Sequence, residues 1–587
     1  MRNFFKNVLS SCLGVVLAFI IIGFGFMIFG ASLMSSGTTI AKNSVLELDF
    51  SSSIPEMTGN VETDPLTFQP GANIGLRRIN QLIDHAASDD KIKGIYLKNA
   101  GFGGGQASLI SIREHLEAFK ESGKFIYAYG DWYSQSSYLL ASVADSIFLN
   151  PQGTVDIKGY AVMIPFFKEL MDEVGVEANI FYAGNFKSAT EPFRRNDMSE
   201  PNKLQTRQYL NGMYDIYAEL IEKGRGISRA ELDDIAADLK GRNASLSLEN
   251  KLVDKIAYVT EVEDMIKEAA GSSSSRKLKS VSLEKYHNFT TIEGTKDKDN
   301  KVAVVYAEGN VVYGSSDKGV ISEEKLLKTL GRIKNKKSIK AVVLRVNSGG
   351  GSALTSDIIH HEMQALKDEG KTVIASFGDV AASGGYYIAA NADSIMCAPN
   401  TITGSIGVFS MFPNMRELVS EKLKMNFDTL KTHPLAINLS SFYDLSDREK
   451  ELMQEGTDDV YTRFCTIVGE GRNLPIEQVR EIAQGRVYTG LAAKEIGLVD
   501  EIGFLEDAIE LAATSAGLSS YQVVEYPEIK PDPFEELLAG LMSGSDGAVK
   551  FPMNKETKLM MSYYKEWYPI LQYSDPQAKM PFILQMD

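Results

Sequence analysis

The stretch TVIASFGDVAASGGYYIAANADSI, Thr372–Ile395, decides the fold. It opens with an apolar run, Thr372–Phe377, that reads as a buried strand. It passes through GDVAASGGYY, Gly378–Tyr387, into what reads as the start of a helix at Tyr386–Ala390. A strand that leads through a small-residue turn into a helix is one step of a βαβ unit. Repeated, such steps build a largely parallel sheet, the α/β class. At the turn, Ser383 stands between two alanines and two glycines. Small neighbours leave room for a substrate backbone, and the free N–H groups of a helix start can receive a developing oxyanion. The same residues equally suit a tight turn at which strand and helix pack closely.

Working outward, the chain carries this unit twice. Ser44–Phe50 reads as a first strand, Leu76–Ala87 as an amphipathic helix and Ile92–Leu97 as a strand. A glycine-rich turn, Gly101–Ser108, a helix over Leu109–Glu121 and a strand at Phe125–Tyr129 follow. About 247 residues later the order returns: Lys301–Tyr306 matches the first strand, and IKAVVLR (Ile339–Arg345) matches IKGIYL. NSGGGSA (Asn347–Ala353) matches GFGGGQA, YIAANADSI (Tyr387–Ile395) matches LLASVADSI (Leu139–Ile147), and GLVDEIG (Gly497–Gly503) matches KLVDKIA (Lys251–Ala257). A unit this long is a duplicated domain and not a solenoid repeat. The expected division is 1–43, 44–270 for the first repeat, 271–300 as a polar linker opening with GSSSSRK, 301–525 for the second repeat, and 526–587 as a tail.

The net charge of −16 argues against a nucleic-acid partner, which would need clustered Lys and Arg. Val8–Met34 is almost wholly apolar, long enough to cross a hydrocarbon core of roughly 30 Å. Arg2 and Lys6 precede it, which puts the N-terminus in the cytoplasm and the rest across the membrane. It is longer than the h-region of a cleaved signal peptide and is read as a retained anchor. Of the three cysteines, Cys12 lies in this segment, and Cys397 and Cys465 form neither a disulfide framework nor a zinc site. No metal or cofactor is expected.

The two copies differ where chemistry would sit. In register, Gln135 faces Ser383, and Ser136 and Ser137 face Gly384 and Gly385, so the first copy lacks the nucleophile position. Conversely the first copy has Lys187 in AGNFKSATEPFRRNDMS (Ala183–Ser199), where the second has Leu435. One shared site between the copies explains both losses. A serine needs a base. None of the six histidines (His85, His115, His287, His360, His361, His433) stands in an evident triad setting, and His360 and His361 lack zinc-site spacing. Lysine is the other candidate, provided burial lowers its pKa by several units. The flanks of Lys187 suit burial only in part, since Glu191, Arg194 and Arg195 follow closely, and a surface lysine is the plain alternative. The backbone of Gly349–Gly351, at the carboxyl end of a strand, can complete an oxyanion hole with Gly384. Ser405, in TGSIG (Thr403–Gly407), is a candidate to orient the amine.

With these residues in place, GDVAASGGYY, TGSIG, NSGGGS, GNFKSATEPF and RVYTGLAAKEIGLVDEIG (Arg486–Gly503) resemble the signal peptide peptidase A family. These are the long, duplicated, membrane-anchored bacterial serine–lysine peptidases with the crotonase/Clp-protease fold. The resemblance runs from residue 44 to about 515. It implies Ser383 as nucleophile, Lys187 as general base, Ser405 as the residue orienting the lysine, and Gly350 and Gly384 as oxyanion donors. One departure is Gly349, where the family usually has proline. The resemblance also implies a homotetramer at the bacterial inner membrane, its catalytic domains on the periplasmic side, taking in cleaved, apolar signal peptides. The aromatic tail segments Met560–Tyr573 and Pro581–Met586 suit either a lipid interface or packing against protein. Two other functional classes remain: an inactive membrane scaffold for apolar peptides, and crotonase-type acyl-CoA chemistry, which an extracytoplasmic domain disfavours.

Overall fold

Two sheets repeat one strand order. The first runs Lys255–Ile256, Ser146–Val155, Phe125–Tyr133, Ile92–Lys98, Ser44–Leu48, Ser280–Ser282. The second runs Glu501–Ile502, Ser394–Cys397, Thr372–Ala382, Ile339–Ser348, Lys301–Glu308, Gln522–Tyr526. All these neighbours pair in parallel. The computed structural model describes residues 40–59, 74–98, 101–272, 277–292, 294–315, 319–528 and 577–579. The expected anchor and the aromatic tail segments lie outside these residues. Among the described residues no helix is long and apolar enough to cross a membrane.

Central strands are apolar on both faces because helices cover both. Val302–Ala307 is buried throughout, as a doubly covered parallel strand must be. The helix Leu76–Ser88 turns Leu76, Ile79, Leu82, Ile83 and Ala86 inward, the stripe its sequence spacing dictates. The duplication extends to single hydrogen bonds. Asp145 accepts from Ile126 N and Asp393 from Val373 N, both at 2.8 Å. Asp254 accepts from Ile147 N and Asp500 from Ile395 N, both at 2.7 Å. The Tyr138 hydroxyl donates to Leu252 O at 2.9 Å and that of Tyr386 to Leu498 O at 2.8 Å. Tyr138 and Tyr386 hold equivalent places, so Gln135 and Ser383 do too.

Three boundaries differ from the sequence reading. The expected linker 271–300 is not all loop: Ser280–Ser282 pairs beside Ser44–Leu48, and Leu283–Phe289 is helical. It completes the first sheet as Gln522–Tyr526 completes the second. A three-residue strand with one apolar side chain is too short for periodicity to reveal. The helix after the first glycine-rich turn starts at Gln106, three residues early. The Thr372 strand runs on to Ala382, and the following helix is confined to Gly384–Tyr387. Pairing with Ile402–Gly404 holds Val380–Ala382 extended and leaves the reversal to Ser383.

A third sheet crosses between the repeats in the order Val320–Ser322, Asn310–Val312, Gly350–Ser352, Gln577–Lys579, Val408–Asn414, Glu177–Ala183. Its Glu177–Ala183 strand comes from the first repeat and its Val408–Asn414 strand from the second. A buried ion pair fastens the same interface. Glu56 accepts from Arg345 Nε at 2.8 Å and Nη2 at 3.1 Å, and Arg345 also donates to Phe377 O at 2.7 Å.

Candidate active site

Strand pairing sets the site. Ala382 is in register with Gly404, so Ser383 and Ser405 leave two neighbouring strand ends side by side. Ser383 N donates to Gly404 O at 2.8 Å. Both serines take left-handed backbone, φ 56° at Ser383 and 52° at Ser405. Such conformations cost on the order of 1–3 kcal/mol each and survive only where surrounding structure enforces them. Here they turn both side chains away from the strand direction and into one buried space, where each serine has no solvent exposure.

Lys187 arrives from the other repeat. The strand Glu177–Ala183 pairs antiparallel with Val408–Asn414, Ala183 opposite Val408. Beyond Ala183 the chain turns, Lys187 N donating to Gly184 O at 3.2 Å and Phe186 N to Gln484 O at 2.8 Å, and this brings Lys187 to the two serines. Its Nζ lies 2.9 Å from Ser383 Oγ, 3.1 Å from Ser405 Oγ and 3.2 Å from Ser405 O. The side chain is 1 % exposed, and burial pushes its amine well below the ordinary lysine range. Glu191 is turned aside, its carboxylate accepting from Ser199 N at 3.1 Å and Asn202 Nδ2 at 2.8 Å.

Gly384 and Gly350 also converge. A Cβ on Gly350 would lie 2.7 Å from Gly384 N. Gly350 has φ 99° and its N–H donates to Ser348 Oγ at 3.1 Å. Gly351, with φ 153°, stands beside it, 3.1 Å from where a Gly384 Cβ would be. Leu435, unlike Lys187, is exposed. The histidines have other partners: His115 meets Asp84, Arg78 donates to His287, and His433 lies beside Thr432. His360 packs edge-on against Tyr387, and burial lowers its pKa to about 4.

Sequence reasoning missed the residues that brace the lysine. Gln205 Nε2 donates to Phe186 O at 3.0 Å and Ser188 Oγ at 2.9 Å, while its Oε1 accepts from Val487 N at 3.3 Å. Gly485, φ 77°, lies so close that a Cβ there would come within 2.7 Å of Lys187 Cα. Phe186 N donates to Gln484 O at 2.8 Å and Ser405 N to Arg486 O at 2.6 Å, so one loop steadies both the lysine and Ser405. The one visible signal was the run beginning at Arg486, which had no assigned role.

The model of peptidase family S49 matches residues 118–273 and again 365–519. The chain belongs to peptidase family S49. Protease 4 of Haemophilus influenzae is 34% identical over 518 residues, covering 86% of this chain and 84% of its own. The chloroplastic serine protease SPPA of Arabidopsis thaliana is 30% identical over 83% of this chain and 72% of its own. A putative signal peptide peptidase SppA of Enterococcus faecium is 36% identical over 39% of this chain and 67% of its own. ClpP1 of Listeria monocytogenes matches 35% of this chain and 94% of its own at 18% identity and TM-score 0.23, too slight a likeness to argue from. This S49 peptidase is a serine endopeptidase with a duplicated α/β domain.

Proposed function

We propose that this S49 peptidase is membrane-anchored and degrades cleaved signal peptides with a Ser383–Lys187 dyad split between its repeats. The observation that carries the reading is the 2.9 Å approach of Lys187 Nζ to Ser383 Oγ inside a buried site. Burial favours the neutral amine, which has two N–H groups and one lone pair. The two N–H groups donate to Ser405 O and Ser405 Oγ, which leaves the lone pair for the Ser383 proton.

Lys187 Nζ takes the Ser383 hydroxyl proton as Oγ attacks the scissile carbonyl carbon. The resulting oxyanion accepts from the Gly384 N–H and from the Gly350 N–H, which exchanges its bond to Ser348 Oγ for one to the oxyanion. Lys187 returns the proton to the departing amine, then deprotonates a water that releases the acyl group from Ser383.

The name of the Enterococcus faecium relative supports peptide substrates. The apolar Val8–Met34 segment supports a single-pass anchor in a bacterial inner membrane with both repeats on the periplasmic side. The reading includes crotonase/Clp-protease-like repeats and a homotetramer. Exposed apolar Leu423, Met425, Phe427 and Leu430 are surface that contact between copies would cover.

The test is hydrolysis of an apolar leader peptide by the detergent-solubilised full chain. Ser383→Ala and Lys187→Ala should each abolish turnover while circular dichroism stays unchanged. Near-normal turnover by Lys187→Ala would assign the base elsewhere and refute the dyad.

A further inference from the structure

Two tyrosines follow the glycines after Ser383, and the first repeat keeps only the first of them. Tyr386 answers to Tyr138, with the same hydroxyl-to-carbonyl bond in both copies. Tyr387 answers to Leu139, one position on in the matched run. The Tyr387 ring is buried between His360, edge-on at 5.8 Å, and Phe464 at 4.6 Å. Its hydroxyl donates to Asp357 Oδ1 at 2.7 Å, and Arg463 Nε donates to the same oxygen at 3.1 Å.

The first repeat lacks these partners too. Ala353 matches Ala107, so Asp357 stands where the first repeat has Ser111, whose hydroxyl accepts from Asn80 Nδ2 at 2.9 Å. The helices Glu200–Arg225 and Asp447–Arg472 are both 26 residues long and both follow a serine cap, which puts Ile216 where Arg463 stands. The repeat without the nucleophile thus has leucine, serine and isoleucine in place of tyrosine, aspartate and arginine. Packing does not demand the polar set, since Leu139, Ser111 and Ile216 are buried in the same places.

The position of the Tyr387–Asp357 bond gives it a task. Tyr387 ends the four-residue helix that Gly384 begins, closing it with a 2.8 Å bond from Tyr387 N to Ser383 O. So short a helix does little to fix its own direction. Asp357 lies in the helix Ala353–Asp368, which follows directly on Gly350–Ser352. The bond therefore ties the element that carries Gly384 N to the element that follows Gly350. The two elements also touch near the nucleophile: a Gly384 Cβ would lie 2.8 Å from Ser356 Oγ, and a Gly350 Cβ 2.7 Å from Gly384 N. Sliding one helix against the other would move one N–H relative to the other. Burial, with Asp357 beside it, raises the Tyr387 pKa, so the hydroxyl keeps its proton and stays a donor.

We propose that Tyr387 and Asp357 are positioning residues that hold the Gly350 and Gly384 N–H groups at the spacing an oxyanion needs. The inference rests on the Ser383-centred reading above and adds what keeps its oxyanion hole in shape. Arg463 steadies Asp357 from the solvent side. The oxyanion exists only as the tetrahedral state forms, so the bond acts on kcat and not on peptide binding.

The test compares the full chain with Tyr387→Phe, which keeps the buried ring and removes the hydroxyl. With the leader peptide, kcat should fall roughly tenfold at unchanged KM, less than the loss of a whole oxyanion donor. The apparent pKa of kcat/KM should stay where it is, because Lys187 is untouched. A peptide aldehyde takes Ser383 Oγ onto its carbonyl carbon and leaves an oxygen in the oxyanion position. It should bind Tyr387→Phe roughly tenfold more weakly. The uncleaved leader peptide should bind Ser383→Ala equally well with and without Tyr387→Phe. Asp357→Ala should reproduce the loss, and Asp357→Asn, whose amide oxygen still accepts the hydroxyl, should restore most of it. Tyr387→Phe with Asp357→Ala should be no worse than either alone. Should Tyr387→Phe fail to fold, Asp357→Ala at its half-exposed site carries the same test. An unchanged kcat, a loss carried by KM, or an aldehyde that binds both chains alike would overturn the positioning role and leave the function standing. Absence of any Ser383-dependent hydrolysis by the parent chain would remove the functional reading and this inference with it.

Discussion

Asp379 of the second repeat caps a helix of the first: Ser108 N and Ser108 Oγ both donate to its carboxylate, each at 2.9 Å. The helix Gln106–Lys120 begins after Gly105, which has no side chain to cap its free N–H groups. Asp379 supplies the missing acceptor from the other repeat. Gly105 makes the approach possible, because a Cβ there would lie 2.1 Å from Asp379 Cγ. Asp379 lies on the strand Thr372–Ala382, four residues before Ser383, so the cap steadies the strand that leads into Ser383.

Asp379→Ala should therefore lower stability by about 1–3 kcal/mol, the range for a charge-assisted hydrogen bond. It should lower kcat as well, and Asp379→Asn should recover part of both. Urea unfolding and leader-peptide kinetics measure the pair. Unchanged values for Asp379→Ala would mean that the contact is incidental.

Burial lowers the Lys187 amine well below its ordinary value, and a base works only when deprotonated. kcat/KM should thus rise with pH through an apparent pKa well below the lysine value of about 10.4 and then level off. A pH–rate profile checks this. A rise continuing to the ordinary lysine range would show that the buried amine is not the base.

The same shift has a stability consequence of defined sign. Between the folded and unfolded pKa values of Lys187, the unfolded chain binds the extra proton, so stability rises with pH across that interval. Lys187→Met should be more stable than the parent at neutral pH. The gain should fade as pH approaches the unfolded lysine value near 10.4. Thermal melting across pH reads the effect, and a gain that grows with pH would contradict it.

Gly485→Ala tests the brace behind the lysine. At φ 77° the added Cβ would lie 2.7 Å from Lys187 Cα and Cβ. A shift of Lys187 by about 1 Å should cost on the order of a hundredfold in kcat. The fold should persist, since the strain is confined to a left-handed position costing roughly 1–2 kcal/mol. A crystal structure of the variant with kinetics would decide whether Nζ moves away from Ser383.

Glu56 and Arg345 are 2 % and 3 % exposed and belong to different repeats. Glu56→Ala should destabilise by about 3–5 kcal/mol because it leaves the arginine buried without its counter-ion. Glu56→Met with Arg345→Met should recover most of that loss. Failure of the double substitution to do so would mean that the pair also shapes the interface in ways its charge does not explain.

Much of the fold was legible because its signals are local and periodic. Apolar runs such as Lys301–Tyr306, glycine turns such as Asn347–Ala353 and the repeated alanine–aspartate–serine–isoleucine run marked two copies of one unit. Ser383 and Lys187 were legible by difference, since each copy lacks what the other keeps. Ser280–Ser282 and Gln577–Lys579 were not, because three-residue strands are held by their neighbours and not by their own pattern. Glu56 and Asp379 were silent for a related reason. A carboxylate in a loop or at a strand end looks solvent-exposed until its partner is known.

The sequence by itself determined the duplicated α/β unit, the small-residue turn at Ser383 and the candidacy of Lys187. Tertiary structure alone decided that these two residues, 196 positions apart, lie within hydrogen-bond distance. It also decided that Asp379 caps a helix in the other repeat and that Ala578 lies beside Gly384. The physical reason is the range of the interactions. Hydrophobic period and turn chemistry act within a dozen residues and are written along the chain. The meeting of Lys187 with Ser383 depends on the register of Glu177–Ala183 against Val408–Asn414 and on the burial both repeats impose together.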